Sequence, residues 1–486
     1  MRYLKVIITK YPLFLVLLGG FLLRLIGLNQ SLWLDEATTA RVAQQYNYSQ
    51  ILTQFSPHDF HPPLYYLFMK FWTGMFGYSE VALRMPSVLA SLVTGWIVYL
   101  IVHKARLPAG RSIKSVKSIA IWAAAFFLFN PLIIYYSQEA RMYSVITLLV
   151  TLIFWSVMKF KDKSEKLKVT TKNFKLILFA NVFIALALGT YYGSVFFIAV
   201  LYGYLLLKKE FKLFIYLLPG TLVAGFFLYP LFLTQLKNSG EVLRAIPNWS
   251  ATLGKANLKN LLLFPIKFTS GRISWEPKIV YYAVAGIWTL FVSHFVMLSL
   301  SKHLAKRYAG SLSYARDDKG SFRNDTVLLY SLFLAPIFLG FLVSFYKPLL
   351  QYFRFIYVIP FMSILLARGA SKKWQRVTLA TGFLAFSLIY TYIPSFHRED
   401  WKSLAASIPS NQVCALPSSF DPLHYYRPNL KTSDSRTCKT GNETITVVPY
   451  AEAIYGFRHL EYMTENKYNL AKQVSFRGLE YQVWKK

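Results

Sequence analysis

The sequence predicts an all-α polytopic membrane protein that ends in a small α+β domain. Hydrophobic residues make up 55% of the 486 residues, charged residues only 16%, and the mean hydropathy is +0.36. This composition is typical of chains with many membrane spans. Segments apolar and long enough to cross a bilayer lie near 12–28, 82–103, 119–136, 143–160, 174–190, 192–207, 213–233, 279–300, 326–346, 353–368 and 377–393.

One further apolar segment, 64–78, is shorter and contains Lys70, Gly74 and Gly77. It could be a span or a helix lying in the membrane interface. The charge of the connections between segments decides between these alternatives.

Basic residues are concentrated in alternate connections. Together 104–118, 161–175, 208–212, 301–323 and 368–376 hold 24 Lys and Arg against 5 Asp and Glu. Such connections belong in the cytoplasm, as does the basic N-terminus. All of them fall on one side only if 64–78 does not cross. The prediction is therefore a multi-pass protein of the plasma (inner) membrane, with eleven spans, a cytoplasmic N-terminus and an extracytoplasmic C-terminus.

This distribution also explains the net charge of +32. A nucleic-acid partner is not needed, because the excess charge sets orientation and attracts anionic membrane lipids.

The same topology leaves 29–81, 137–142, 234–278 and the C-terminal segment outside. We therefore divide the chain into a transmembrane domain, 1–393, and an extracytoplasmic domain, 394–486. Helix-like WKSLAASI and strand-like QVCALP and TITVVPY predict the α+β fold of the latter. Cys414 and Cys438 lie in it without a CxxC spacing, which favours a disulfide over a metal site in an oxidising compartment.

Polar residues collect in the outer connections. Asp35 and Glu36 directly follow the first span, where ionised groups are costly and therefore suggest a functional site. HDFHPPLYY adds Asp59 and His61, and YYSQEARMYS adds Gln138, Glu139 and Arg141. All of these residues are predicted on the outer side of the membrane. This placement suits chemistry on a substrate whose lipid tail lies in the bilayer.

Each of these residues also has a structural interpretation. Asp35 and Glu36 could cap the next helix, and His61 could mark a proline turn. Glu139 and Arg141 could form a local ion pair. Arg24 could simply extend its charged end to the lipid headgroups, without a role in catalysis.

The order of LDEA, HPPLYY, LRMPS (83–87), QEARMYS and RFIYVIP (354–360) resembles the membrane glycosyltransferases of the GT-C class. Within it, the chain is similar to the branch of protein O-mannosyltransferases and lipid A aminoarabinose transferases, and REDWK (398–402) resembles the start of the outer domain in bacterial members. The resemblance implies a GT-C fold and a polyprenyl-phosphate sugar donor. It also implies transfer on the extracytoplasmic face with inversion, to a lipid, glycan or protein acceptor.

The resemblance also implies roles for individual residues. Asp35 matches the aspartate taken as general base, Glu36 completes the catalytic motif, and Glu139 matches the acidic residue of the second outer loop. Substrate binding is expected from Glu139, Arg141, Arg354, His61 and Arg24.

Among the cations, Arg354 is preferred for the leaving phosphate because it opens a span on the outer side, and Arg272 is an alternative. A divalent metal cation could share this task, with Glu36, His61 and Glu139 as ligands. Many relatives have Arg where this chain has Gln138.

A membrane transporter or lipid flippase is the alternative function. Such a protein would also have many spans and intramembrane charges, but here the polar residues lie in outer connections and no pair of broken helices is evident. A receptor-like or scaffolding protein is a third hypothesis, and it predicts that Asp35→Asn leaves function intact.

Overall fold

The computed structural model describes residues 11–103, 113–163, 171–246, 248–309, 326–438, 443–449 and 451–486. Parts of the basic connections 104–118, 161–175 and 301–323, and the basic N-terminal residues, lie outside these ranges. The chain forms two compact units. The helical unit comprises Met1–Ile26, Met85–Pro230 and Ala256–Ile393, and the sheet unit comprises Gly27–Arg84, Leu231–Lys255 and Pro394–Lys486.

The α-helices of five or more residues in the described part of the chain are numbered in order. The first ten are α1 Pro12–Leu25, α2 Leu34–Gln45, α3 Leu64–Phe76, α4 Glu80–His103, α5 Ile113–Leu128, α6 Pro131–Ser137, α7 Tyr143–Lys163, α8 Thr171–Thr190, α9 Ser194–Leu207 and α10 Phe211–Ala245. The others are α11 Trp249–Leu253, α12 Leu258–Ser270, α13 Lys278–Ala309, α14 Thr326–Val343, α15 Ile359–Gly369, α16 Lys373–Tyr392, α17 Trp401–Ser407, α18 Phe420–Tyr426 and α19 His459–Glu465.

The predicted class, an all-α polytopic membrane protein with a small C-terminal α+β region, is confirmed. Each of the eleven predicted spans is helical. Six helices of the described residues are long and apolar enough to cross a membrane, and a seventh span is formed if α5 and α6, bent by 59°, count as one. Three of the remaining predicted spans, α1, α8 and α9, are shorter apolar helices, so the count of eleven stays a prediction.

The membrane character of the helical unit is visible on its surface. Phe226 and Phe227 of α10 are 77% and 74% exposed, and Leu290 of α13 is 73% exposed. Large exposed apolar side chains on long helices suit contact with lipid rather than water.

The sheet unit contains the segment 64–78, which was predicted to lie along the membrane. It forms α3, a helix of 13 residues that buries Tyr66 and Met69 and exposes Phe71 and Met75. At about 1.5 Å per residue, α3 is too short to cross the roughly 30 Å hydrocarbon core.

The sheet of this unit has five strands, β1 Gln412–Ala415, β2 Lys431–Asp434, β3 Glu443–Pro449, β4 Asn469–Phe476 and β5 Leu479–Lys485. Their order is β2-β1-β3-β5-β4. β1 is parallel to β2 and β3, and β5 is antiparallel to β3 and β4. A disulfide joins Cys414 in β1 to Cys438 beyond β2.

The core under the sheet includes a residue from the first outer connection. Trp401 and Leu404 of α17 and Leu423 of α18 pack with Val447 of β3, and Leu34 of α2 lies in the same cluster. The C-terminal segment therefore folds together with the segment that carries Asp35.

Candidate active site

Asp35 and Glu36 occupy the first turn of α2, where the positive end of the helix dipole favours carboxylates. Their environments differ. Asp35 is half-buried, whereas the side chain of Glu36 is only 1% exposed. A buried carboxylate requires a charged partner.

Arg84 is that partner. Its Nε and Nη2 donate to Oε1 and Oε2 of Glu36 at 2.8 and 2.6 Å, and the side chain of Arg84 is also 1% exposed. The same guanidinium donates to the carbonyls of Leu28, Gln30 and Ser31 at 2.7 to 3.0 Å. Arg84 thus fixes the backbone between the first span and Asp35. Arg84 is the arginine of LRMPS, and no role was predicted for it.

His61 and Asp59 lie in a second loop of the sheet unit, with His61 Nδ1 3.4 Å from Asp59 Oδ2. Gln235, in the part of α10 that belongs to this unit, donates to the carbonyls of Ser56 and His61 at 2.7 and 3.0 Å. The loop is therefore tied down through its backbone.

The predicted metal ligands do not form a metal centre. Over the described ranges, no group of three or more His, Cys, Asp or Glu side chains is placed to hold an ion. Both oxygens of Glu36 already accept hydrogen bonds from Arg84. The described residues therefore do not fit the divalent cation that the sequence analysis considered.

In the helical unit, the conformation of the segment after α6 is fixed by hydrogen bonds. Gln138 Nε2 donates to the carbonyls of Arg24 and Ile26 at 3.0 and 2.6 Å, which satisfies the end of α1. Ser87 Oγ donates to the carbonyl of Glu139 at 2.6 Å, and both Glu139 and Arg141 are buried. Gln138 thus has a structural role.

Arg24 is fully buried and bonded within the protein. Its guanidinium donates to Ser91 Oγ at 2.9 Å and to the carbonyls of Gly20 and Leu128 at 2.6 and 3.0 Å. These contacts describe a residue that ties three helices together rather than one that reaches to headgroups.

Aromatic rings gather in the helical unit beside these segments. The aromatic cluster comprises Tyr135, Tyr136, Tyr143, Tyr191 and Phe353, with successive ring centroids 5.0 to 6.4 Å apart. Such spacing is typical of favourable ring contacts.

Two cations, Arg272 and Arg354, contact this cluster, and Lys267 is a neighbour of Arg272. Arg272 Nη1 donates to Tyr135 Oη at 2.8 Å, and the guanidinium lies 4.9 Å from the centre of that ring. Arg354 lies 6.0 Å from the Phe353 ring, and its charge partly offsets the burial that raises the pKa of Tyr191 to about 12. Lys267 Nζ donates to Tyr281 Oη at 3.1 Å. We call Lys267, Arg272 and Arg354 the cationic set.

Lys267 is the member whose charge is easiest to change. Its burial, followed by the charges of Arg272 and Lys278, lowers its pKa to about 8. Arg272 remains protonated at every accessible pH.

The backbone at the end of α12 positions Arg272. Gly271 has a φ of +74°, and a Cβ there would lie 2.9 Å from Pro131. Asn130 Nδ2 donates to the carbonyl of Phe268 at 2.7 Å, while its Oδ1 accepts the N–H groups of Leu132 and Ile133. One side chain thus caps α6 and fixes its position relative to α12.

Solved structures share this architecture over nearly the whole chain. ArnT from Cupriavidus metallidurans bound to undecaprenyl phosphate superposes with a TM-score of 0.56 at 11% identity, covering 98% of this chain and 98% of that chain. The chain has the GT-C fold. The apo oligosaccharyltransferase of Archaeoglobus fulgidus also matches, with a TM-score of 0.51 at 10% identity, covering 91% of this chain and 70% of the other.

Sequence comparison adds a match that covers only part of the chain. A family model described as the protein O-mannosyl-transferase TMEM260 N-terminal domain matches residues 53–213. No curated protein sequence matches the chain. The resemblance to GT-C glycosyltransferases stated from the motifs is thus confirmed.

Proposed function

We propose that this protein transfers a sugar from a polyprenyl-phosphate-linked donor to an acceptor hydroxyl on the extracytoplasmic membrane face, with inversion and with Asp35 as general base. The observation that carries the proposal is the cationic set beside the aromatic cluster. Two proteins that share the fold are described as bound to polyprenyl phosphates, ArnT to undecaprenyl phosphate and the archaeal oligosaccharyltransferase AglB to a dolichol-phosphate with an inhibitory peptide.

The cationic set suits the leaving group of such a reaction. When the anomeric carbon separates from the donor, negative charge develops on the polyprenyl phosphate, and fixed cations stabilise it. Arg272 can bind two phosphate oxygens at once, and Lys267 adds a compact charge. The tyrosine rings of the cluster are buried, and Tyr135 holds Arg272 through its hydroxyl.

Asp35 suits the base because its neighbour Glu36 is already used by Arg84. In the proposed step, the acceptor oxygen bonds to the anomeric carbon and its proton passes to the Asp35 carboxylate. The bond from that carbon to the phosphate oxygen breaks, and its electron pair leaves with the polyprenyl phosphate. A base contributes about 10²–10⁴ in rate when it lies within hydrogen-bond reach of the acceptor.

Glu36 is proposed to act through position, by fixing α2 against Arg84. Glu139, Arg141 and His61 remain proposed substrate-binding residues. The extracytoplasmic orientation is supported by the basic connections and by the Cys414–Cys438 disulfide, which persists in an oxidising compartment.

The test is transfer by the purified protein in lipid nanodiscs from synthetic polyprenyl-phosphate sugars, comparing hexosyl and pentosyl donors. Asp35→Asn should lower kcat by about 10²–10⁴ and leave the affinity for undecaprenyl phosphate unchanged. Asp434→Asn, in β2, is the matched control and should behave as the wild type.

Equal turnover by Asp35→Asn and the wild type would remove Asp35 from the mechanism. Absence of transfer from every donor, together with movement of labelled lipid across vesicles containing the protein, would favour a transporter or flippase.

A further inference from the structure

The C-terminal segment contacts the helix that carries Asp35. Thr38 Oγ1, on α2, donates to Asp421 Oδ2 of α18 at 2.6 Å. Thr38 is three residues after Asp35, so the two side chains lie on the same side of α2. Leu34, directly before Asp35, is buried in the core formed by α17, α18 and the sheet.

The backbone before Asp35 is held by the same segment. Tyr426 Oη accepts the N–H of Leu32 at 2.7 Å and donates to Glu80 Oε1 at 3.3 Å. Burial raises the pKa of the Tyr426 phenol, so the hydroxyl keeps the proton that it donates. Leu32 is completely buried, so in the folded protein its N–H is satisfied by this hydroxyl and not by bulk water.

Lys402 extends this contact. Its Nζ donates to Glu80 Oε1 at 2.9 Å, and its backbone N–H donates to Ser31 Oγ at 3.1 Å. Residues on both sides of Asp35 in sequence, at 31–34 and at 38, are therefore bonded to or packed against the chain beyond residue 394.

We propose that Tyr426 and Asp421 are positioning residues for Asp35, so that the C-terminal domain completes the catalytic loop whatever acceptor is used. This inference rests on the proposed function. General-base catalysis requires the carboxylate within about 2.6–3.2 Å of the acceptor hydroxyl, and a misplacement of about 1 Å can cost 10²-fold in rate. Arg84 restrains the loop through its carbonyls, and Tyr426 restrains it through the N–H of Leu32.

The first test is Tyr426→Phe, which removes only the hydroxyl. We expect faster amide hydrogen exchange in peptides covering 28–38, by about tenfold for a lost hydrogen bond of about 1.4 kcal/mol. We also expect kcat to fall about 10- to 100-fold while the affinity for undecaprenyl phosphate stays within twofold of the wild type. Tyr481→Phe, in β5 of the same unit, is the matched control and should leave exchange in 28–38 and kcat unchanged.

The second test uses Asp421. Asp421→Ala should accelerate exchange at the start of α2 and lower kcat, and Asp421→Asn should restore both because its amide oxygen still accepts from Thr38. A destabilised fold would not be rescued in this selective way, and it would change exchange throughout the unit.

Unchanged exchange in 28–38 for Tyr426→Phe would overturn the contact, and changed exchange with wild-type kcat would overturn the positioning role. If the wild type transfers no sugar from any donor, the proposed function fails by itself. The exchange measurements still decide whether Tyr426 and Asp421 restrain the loop.

Discussion

At the scale of the residue, two adjacent carboxylates of one sequence motif have different environments. Successive residues of an α-helix are rotated by about 100°, so Asp35 and Glu36 point in different directions. Glu36 is buried against Arg84, whereas Asp35 is half-buried. The adjacent pair therefore combines a proposed base with a fixed anchor.

The buried pair of Glu36 and Arg84 should contribute to the free energy of unfolding. Arg84→Met should lower the free energy of unfolding by about 3–5 kcal/mol, because it leaves the Glu36 charge buried without its partner. The double variant Arg84→Met with Glu36→Leu should recover much of this loss, because it removes both charges. Thermal unfolding in nanodiscs measures both, and an unchanged melting temperature for Arg84→Met would contradict the anchoring role.

The lowered pKa of Lys267 leads us to expect that donor binding depends on pH. If the cationic set binds the donor phosphate, affinity for undecaprenyl phosphate should fall as the pH rises through about 8, the pKa of Lys267, because this side chain loses its charge. Tyr281, Arg272 and Lys278 are its polar neighbours, and the arginine stays charged throughout. Lys267→Met should bind more weakly and lose this step. A pH-independent affinity in the wild type would exclude Lys267 from the phosphate site.

The stability of the ligand-free protein should change in the opposite sense. The pKa of Lys267 is lowered from 10.5 to about 8, so below pH 8 the folded protein holds a costly buried cation. Between these values the unfolded chain binds more protons than the folded one, and stability therefore rises with pH. Melting temperatures of wild type and Lys267→Met across this range measure the contribution of Lys267.

At the scale of the element, the placement of Arg272 depends on the junction of α6 and α12. Gly271 permits the left-handed turn and the close approach to Pro131, and Asn130 bonds to both helices. The sequence predicted a span over 119–136 and an outer connection over 234–278, but it contained no signal that Asn130 and Phe268 would meet.

Asn130→Asp tests this junction. The carboxylate can still cap α6, but it cannot donate to the carbonyl of Phe268, so we expect a loss of about 1–3 kcal/mol in the free energy of unfolding. Affinity for undecaprenyl phosphate should also fall, because Arg272 lies just beyond this contact. Asn257→Asp is the control. It retains the cap of α12, and among the described residues no bond from Asn257 to a second helix is at stake. Equal stability of the two variants would argue against the proposed importance of the junction.

At the scale of the whole molecule, sequence order and spatial units differ. The predicted division at residue 393 follows the end of the last span, whereas in the structure 27–84 and 231–255 fold with 394–486. The loop with Asp35 and the C-terminal sheet share one core, so changes in the sheet should reach the loop.

The disulfide provides a test at this scale. Cys414→Ser with Cys438→Ser should destabilise the sheet unit by about 3 kcal/mol, as expected for a loop closed over 24 residues. Hydrogen exchange should rise first in β1 and β2, and the same change should follow reduction of the wild type. Unaltered exchange after reduction would show that the sheet does not depend on this bond.

The sequence by itself determined the properties that depend on local pattern. Hydropathy located the eleven predicted spans, each of which is helical in the structure, the basic connections predicted that α3 does not cross the membrane, and motifs identified the GT-C class. Only the tertiary structure decided which charges meet. Arg84 lies 48 residues from Glu36, and Tyr426 lies 394 residues from Leu32. Hydrophobic periodicity reports which face of a segment is buried, but not which distant side chain packs against it. The partner of Glu36 and the contact that holds the backbone before Asp35 are therefore visible only in the folded chain.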